Sequence, residues 1–221
     1  MSHPMSHPTS HRMRIDVYSD ISCPWCYIGK RNLEKAVAAF GADRVELVLH
    51  PYQIDGEHPE HAMPMLEWLA GKYGTAKATA MSEEVTEAGK ALGITFRNAT
   101  GYAVNTLQAH RLLWFAGRRH GAEVRSRLEE LLFAAYFTDN GDVSDPELLV
   151  DRAVRAGMDG AQAAAYLASD EELAEVRAAV AEARERVAAV PAFVLDDGTT
   201  LVGAQDEATV LRALRQAADR A

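Results

Sequence analysis

The sequence predicts an α/β fold: a mixed sheet flanked by helices, with an inserted all-helical domain. Three observations predict it. Near the amino terminus an alternating apolar and polar strand runs into a helix opened by proline. A long central stretch then carries helical periodicity with glycine stops and no strand pattern. Strand signals return near the carboxyl end around an Asp-Asp-Gly turn, and an amphipathic helix closes the chain.

The first strand is RIDVYS, residues 14–19, where Ile15 and Val17 alternate with Asp16 and Tyr18. A helix follows over 24–40. Pro24 suits its first turn, where the missing N–H costs nothing, and Gly41 ends it. VELVL, residues 45–49, reads as a second strand stopped by Pro51. Helices are expected over 76–92, 106–120 and 122–137, the first two closed by Gly93 and Gly121. Asp145 caps the next helix, Pro146 takes its first position, and Gly157 closes it. Ser169 and Glu172 have the spacing of a capping box for a long helix ending near Val187. AFVL and TTLVG flank Asp196-Asp197-Gly198 as a hairpin, and Val210, Leu211, Leu214 and Ala218 share one face of the last helix.

Lifting out the helical block leaves the order β-α-β-α-β-β-α, which is thioredoxin-like. The expected organisation is a thioredoxin-like domain from 13–58 and 169–221, a helical insertion over 59–168, and a disordered tail over 1–12.

A chain of 221 residues fits one large domain or one domain with an insertion. Net charge is −9 with no dense Lys/Arg cluster, which argues against nucleic acid or an anionic membrane as partner. No apolar run approaches the ~20 residues of a membrane span. MSHPMSHPTSHR has no apolar core, so it is not read as a secretory signal, and Met13 is an alternative start. Its His3, His7 and His11 are read as part of a tail rather than as a metal site. Two cysteines do not make a secreted disulfide scaffold. A cytoplasmic setting is expected, where an accessible pair is kept reduced.

Both cysteines lie in SDISCPWCYIGK. Cys23 and Cys26 are at i and i+3, neighbours on a helix with Cβ atoms roughly 5–6 Å apart. A modest adjustment reaches disulfide geometry at ~3.8 Å. Cys23 falls at the helix start, where unpaired N–H groups and the dipole favour a thiolate. Thiol pKa values in such motifs fall to between ~3.5 and ~7.5. Cys26 shares a helical stripe with Gly29, Leu33, Val37 and Phe40, so it is expected to be the more buried thiol. Pro24 stiffens the turn, and Trp25 is expected as an exposed aromatic beside the reactive sulfur. A zinc site would need four ligands, and one pair with His58 and His61 only three apart does not supply them. No metal or organic cofactor is required.

In AAVPAFVL, Val190-Pro191 heads the third strand. Proline may start a strand without disrupting a ladder. The functional alternative is a cis peptide bond beside the cysteine turn, with the Val190 backbone available to an extended substrate. The residues alone leave both readings open.

SDISCPWCYIGKRNLEKA, NTLQAHRLL, LLFAAYFTDNGDVSD and VPAFVLDDGTTLVGAQ occur in this order over 14–215. In that combination the chain resembles the DsbA-like thioredoxin-fold oxidoreductases, and most of all their FrnE-type subgroup. The resemblance implies dithiol–disulfide exchange, with Cys23 attacking, Cys26 resolving and Pro191 as a cis-proline. It also implies that Asn105, Thr106 and His110 line the active-site groove. The plainer reading is that Asn105 caps a helix and His110 is a satisfied histidine. RVAAVPAF replaces glycines that often precede the proline in such relatives, which bears on substrate fit. Periplasmic oxidants of this kind carry a signal peptide, so reduction, isomerisation or client-specific exchange is expected here.

The expected partner is a thiol- or disulfide-containing protein or a glutathione-type thiol. The rival readings are a glutathione-linked small-molecule isomerase or polyketide-tailoring protein of the same fold, and a non-catalytic metal- or peptide-binding protein. The paired cysteines argue against the glutathione-linked branch, whose turn is of a serine type.

Overall fold

The computed structural model describes residues 12–56, 59 and 61–220. The tail over 1–11, with its three histidines, and His58 lie outside the described residues.

A four-stranded sheet has the order β2-β1-β5-β6, from β1 (Met13–Ser19), β2 (Val45–Pro51), β5 (Ala192–Leu195) and β6 (Thr200–Val202). The parallel pair β1 and β2 runs in register from Met13 opposite Val45 to Ser19 opposite Pro51. On the other side β5 runs antiparallel to β1, with Ile15 opposite Leu195 and Tyr18 opposite Ala192, and β6 is antiparallel to β5. As an interior strand, β1 is covered on both faces. Ile15 and Val17 pack under α1 (Pro24–Phe40) and α9 (Glu207–Ala218), while Tyr18 packs with Ala183 and Val187 at α8 (Leu173–Arg186).

Among the described residues, six helices lie between β2 and α8: α2 (Met65–Tyr73), α3 (Thr75–Lys90), α4 (Leu107–Arg119), α5 (Ala122–Phe137), α6 (Pro146–Ala156) and α7 (Gly160–Leu167). A two-residue ladder joins β3 (Met63–Pro64) to β4 (Tyr102–Ala103). The sequence pattern did not single out α2, α7 or this ladder. Both helices are short, and α7 is alanine-rich, so neither shows a clear apolar period.

Local signals worked where they close on themselves. Asp145 accepts a hydrogen bond from the Glu147 N–H at 3.0 Å, Pro146 opens α6, and Gly157 ends it at φ 98°. The Gly198 N–H donates to the Leu195 carbonyl in the expected turn between β5 and β6.

The capping box at Ser169 and Glu172 does not form. Glu172 sits at φ 57°, and its carboxylate pairs with Arg118 at 2.8 Å and accepts from the Tyr166 hydroxyl at 3.2 Å. The Ser169 hydroxyl donates to the Tyr166 carbonyl instead. Arg111, only 1% exposed, gathers the carbonyls of Ser169 and Glu171 at 2.8 Å each. A buried guanidinium needs such acceptors, and satisfying it takes precedence over an exposed cap.

The largest apolar cluster is shared between the helical block and the start of α1. It joins Cys23, Cys26, Tyr27 and Ile28 to Leu112, Leu128, Leu132 and Phe133. The Tyr27 ring stacks on Phe133 with centroids 5.0 Å apart. On the opposite side of α1, Gly29 meets Pro191. A Cβ there would lie 2.9 Å from Pro191 Cγ and 3.3 Å from Phe193 Cζ. Neither ring can move away freely. Gly29→Ala is therefore expected to destabilise the fold by about 1–3 kcal/mol through overpacking, read as a lower midpoint in urea denaturation with an unchanged slope.

Candidate active site

The site forms where the central strand gives way to α1. Cys23 is extended, at φ −93° and ψ 110°, and Pro24 is the first helical residue. The Cys23 N–H donates to the Asp20 carbonyl at 3.0 Å, and the Cys26 N–H donates to the Cys23 carbonyl at 3.0 Å. The Cys23 side chain makes no capping bond to the helix. Its sulfur thus sits beside a helix opening whose first N–H groups favour negative charge. The sulfur also lies 3.7 Å from the Val190 carbonyl oxygen, and the Val190–Pro191 peptide bond is cis.

Both cysteines are free thiols and both are buried. What separates them is the space each one meets. Cys23 borders a cavity of about 260 Å³ that reaches from Pro24, Trp25 and Val190 into the helical block. Cys26 borders a different cavity, of about 640 Å³, against Leu33, Lys30, Glu129 and Pro191. Burial pushes the Cys26 thiol well above the usual range, and the hydrogen bond and charge of Cys23 add to this. The Asp20 backbone and the Ser19 side chain oppose the shift without cancelling it. In the same cavity burial raises the Glu129 carboxyl, against the opposing charges of Lys30 and Arg125.

Asp20 is the polar centre of the site and is 1% exposed. Its Oδ1 accepts from Thr106 Oγ1 at 2.9 Å and from the Ser22 N–H at 3.2 Å, and lies 3.2 Å from His110 Nε2. Its Oδ2 accepts from Ser22 Oγ at 2.7 Å and from the Ile54 N–H at 2.8 Å. Burial alone would raise the Asp20 carboxyl. The hydrogen bond and charge of His110, with the Ile54 and Ser22 donors, hold it below its ordinary value instead.

The expected site residues fall in several places. Trp25 is half-buried against the shared core, not the exposed aromatic expected; the helical block packs over it. Val190 and Thr106 line the Cys23 cavity, and Pro191 lines the Cys26 cavity. Asn105 Oδ1 accepts from the Leu107 N–H at 2.9 Å and from Gln53 Nε2 at 3.2 Å. His110 stands behind Asp20, one hydrogen bond from the cysteine turn. Sequence reasoning passed over Asp20, Gln53 and Glu129. A charged residue between the first strand and the cysteine turn, in SDISC, was the available signal for Asp20; Gln53 and Glu129 carry none. Among the described residues no three His, Cys, Asp or Glu side chains cluster as metal ligands would.

Removing one partner of a buried pair costs about 3–5 kcal/mol. Asp20→Asn is expected to lower stability at pH 7 by about 3 kcal/mol on that basis. Because folded Asp20 holds its proton less tightly than unfolded Asp20, its contribution is full above the ordinary carboxyl value and is lost as pH falls through the lower folded value. Denaturation between pH 2 and pH 7 should therefore show a shallower acid loss in Asp20→Asn than in the native protein.

The family model for a DSBA-like thioredoxin domain matches residues 14–215. A crystal structure of a probable DsbA oxidoreductase from Streptomyces coelicolor is 35% identical, with a TM-score of 0.87 over 95% of this chain and 92% of that one. The uncharacterized protein YwbO of Bacillus subtilis strain 168 is 26% identical over 87% of this chain and 90% of its own. The cytosolic disulfide reductase DsbM of Pseudomonas aeruginosa, also solved with GSH, shares the fold at 16% identity. Its TM-scores are 0.63 and 0.61, over 94% of this chain and 100% of that one. Sheet order, the helix-opening cysteine turn and the match over 14–215 agree, and the chain belongs to the DSBA-like thioredoxin domain family.

Proposed function

We propose that the protein is a thiol–disulfide oxidoreductase acting through Cys23 and Cys26 on cysteines of polypeptides or on small thiols. The observation that carries this reading is the unequal placing of two free thiols in the first turn of one helix. Cys23 borders the cavity that a client can enter, and Cys26 is held protonated behind it. Family membership supports the reading, and so does the likeness to a probable DsbA oxidoreductase.

In the reducing direction the Cys23 thiolate attacks one sulfur of a client disulfide. A bond forms between Cys23 and that sulfur, and the other client sulfur leaves as a thiolate and takes up a proton. Cys26 then gives up its proton and attacks the Cys23 sulfur. The mixed disulfide breaks, the second client sulfur leaves as a thiolate, and Cys23–Cys26 becomes the disulfide. Two electrons pass from protein to client. The reverse sequence oxidises a client dithiol. Direction follows the difference in reduction potential, with ~30 mV worth ~1.4 kcal/mol. The raised Cys26 thiol keeps the second nucleophile silent until a mixed disulfide stands beside it.

Asp20 and Val190 are positioning groups in this scheme. Asp20 holds the turn through its carbonyl and carboxylate, and Val190 offers backbone at the cavity wall beside Cys23. The solved complex of the DsbM neighbour with GSH brings a glutathione-type thiol into the range of clients. That neighbour's cytosolic setting supports a cytoplasmic, reducing role.

Cys23→Ser should abolish reduction of a model disulfide, and Cys26→Ser should accumulate a mixed disulfide visible by mass spectrometry as one client added per chain. Iodoacetamide at pH 7.5 should modify Cys23 and spare Cys26. Wild-type turnover by both single variants would refute the mechanism.

A further inference from the structure

We propose that the cleft along the outer edge of β2 is a binding site for a small monocarboxylate with an apolar body, held by Arg125 and the Leu49 N–H. Neither cysteine lines this cleft, and the site does not depend on exchange at Cys23.

β2 is an edge strand of the sheet. Successive residues of a strand turn their backbone groups to opposite edges. The Tyr52 N–H donates to the Ser19 carbonyl at 3.0 Å, which sets the even-numbered residues of β2 toward β1. Leu47 and Leu49 therefore face outward. A further parallel strand would place one residue opposite them. That residue would give its N–H to the Leu47 carbonyl and take the Leu49 N–H on its own carbonyl. Arg125 Nη2 supplies the first of these bonds, at 2.9 Å. Among the described residues no group supplies the second. The edge thus lacks one acceptor oxygen beside a guanidinium.

The cleft that this oxygen would enter has a volume of about 280 Å³. α4 forms one wall with His110, Trp114, Gly117 and Arg118, which share a face at helical spacing. Val48, Leu49 and Pro51 line it from β2, and Leu113 adds to the apolar lining. Gly117 lets the Arg125 side chain lie against the helix, since a Cβ there would stand 3.0 Å from its Cδ and 3.3 Å from its Nη1.

The chain has a net charge of −9, yet no Asp or Glu is among the described residues lining the cleft. Three of its basic groups are already engaged: Arg118 with Glu172 at 2.8 Å, His50 with Asp16, and His110 with Asp20. Arg125 differs. Among the described residues it forms no ion pair; Glu129 acts on it at longer range and pairs with Lys30 at 3.9 Å. A guanidinium carries several N–H donors in a fixed fork, and the Leu47 carbonyl takes only part of that capacity. A carboxylate matches the fork. Its oxygens can accept from Arg125 and from the Leu49 N–H together, with the apolar body against Trp114, Leu113 and Pro51. A phosphate dianion would want a second unpaired cation, and a neutral amide brings no charge to Arg125. The volume lies just under the roughly 300–1,000 Å³ of pockets for drug-sized ligands, which favours a compact acid.

The test is a titration of the full-length, isotope-labelled protein with benzoate, followed through its amide and indole N–H signals in two-dimensional NMR. The Leu49 amide proton should move downfield and the Trp114 indole signal should shift, both saturably, at millimolar benzoate. Benzamide and inorganic phosphate at the same concentrations should leave both signals in place. Arg125→Leu should weaken benzoate binding at least about tenfold. Arg125→Lys, which keeps the charge but not the fork, should retain part of it. Cys23→Ser should bind benzoate as the native protein does. Comparing benzoate with N-acetyl-Gly-Phe tells a free acid from a peptide terminus as the source of the carboxylate, the tighter of the two naming it. Equal shifts with benzamide, no saturable shift at Leu49, or unaltered binding by Arg125→Leu would overturn the inference. The first two are read on the native protein, so a misfolded variant leaves them decisive. Loss of binding in Cys23→Ser would move the ligand to the cysteine turn and overturn it as well.

Discussion

One buried carboxylate holds the site together. Asp20 ends the central strand, and its oxygens collect donors from three separated stretches of chain: Ser22 in the cysteine turn, Ile54 after β2, and Thr106 with His110 at the start of α4. Its own carbonyl accepts from the Cys23 N–H. An ionised carboxylate in an apolar interior persists only when its lone pairs are filled, and here each oxygen is filled from more than one element. The sheet, the turn and the helical block are held in one relative placement by that requirement.

The placement matters because the block forms most of the wall of the Cys23 cavity. Tyr27 stacks on Phe133, so α1 and α5 share a core directly beneath the cysteines. Walls anchored in this way leave less ordering cost to any molecule that enters the cavity. Gly29 performs the matching service on the other side of α1, where the absence of a side chain lets Pro191 and Phe193 approach the helix.

The two sulfurs are three residues apart in sequence yet belong to different environments. Cys23 borders the smaller, largely apolar cavity at the helix opening; Cys26 borders the larger one, with Lys30 and Glu129 nearby. One turn of helix separates a face directed to the block from a face directed to the sheet. That separation gives each thiol its own neighbours, and burial raises the Cys26 thiol, although both sulfurs are nearly out of contact with bulk water.

Much of this was legible in the sequence. Periodicity gave the strands and the longer helices, and Asp145, Gly157 and Gly198 marked ends that the structure keeps, because such hydrogen bonds close within a few residues. The start of α1 at Pro24 follows from the same local rules. Short helices without a clear apolar period were not legible, and the capping signal at Ser169 gave way to Arg111 and Arg118, which lie far off in the chain. The meeting of Asp20 with His110, 90 residues apart, was out of reach for the same reason. Sequence alone determined the strands of the main sheet, the longer helices, their order and the cysteine pair at a helix opening. Only tertiary packing decided which cavity each sulfur borders, that Trp25 is half-buried, and that Lys72 at the cavity beside Cys23 pairs with Asp55, since those outcomes depend on α2 to α5 folding back over the turn.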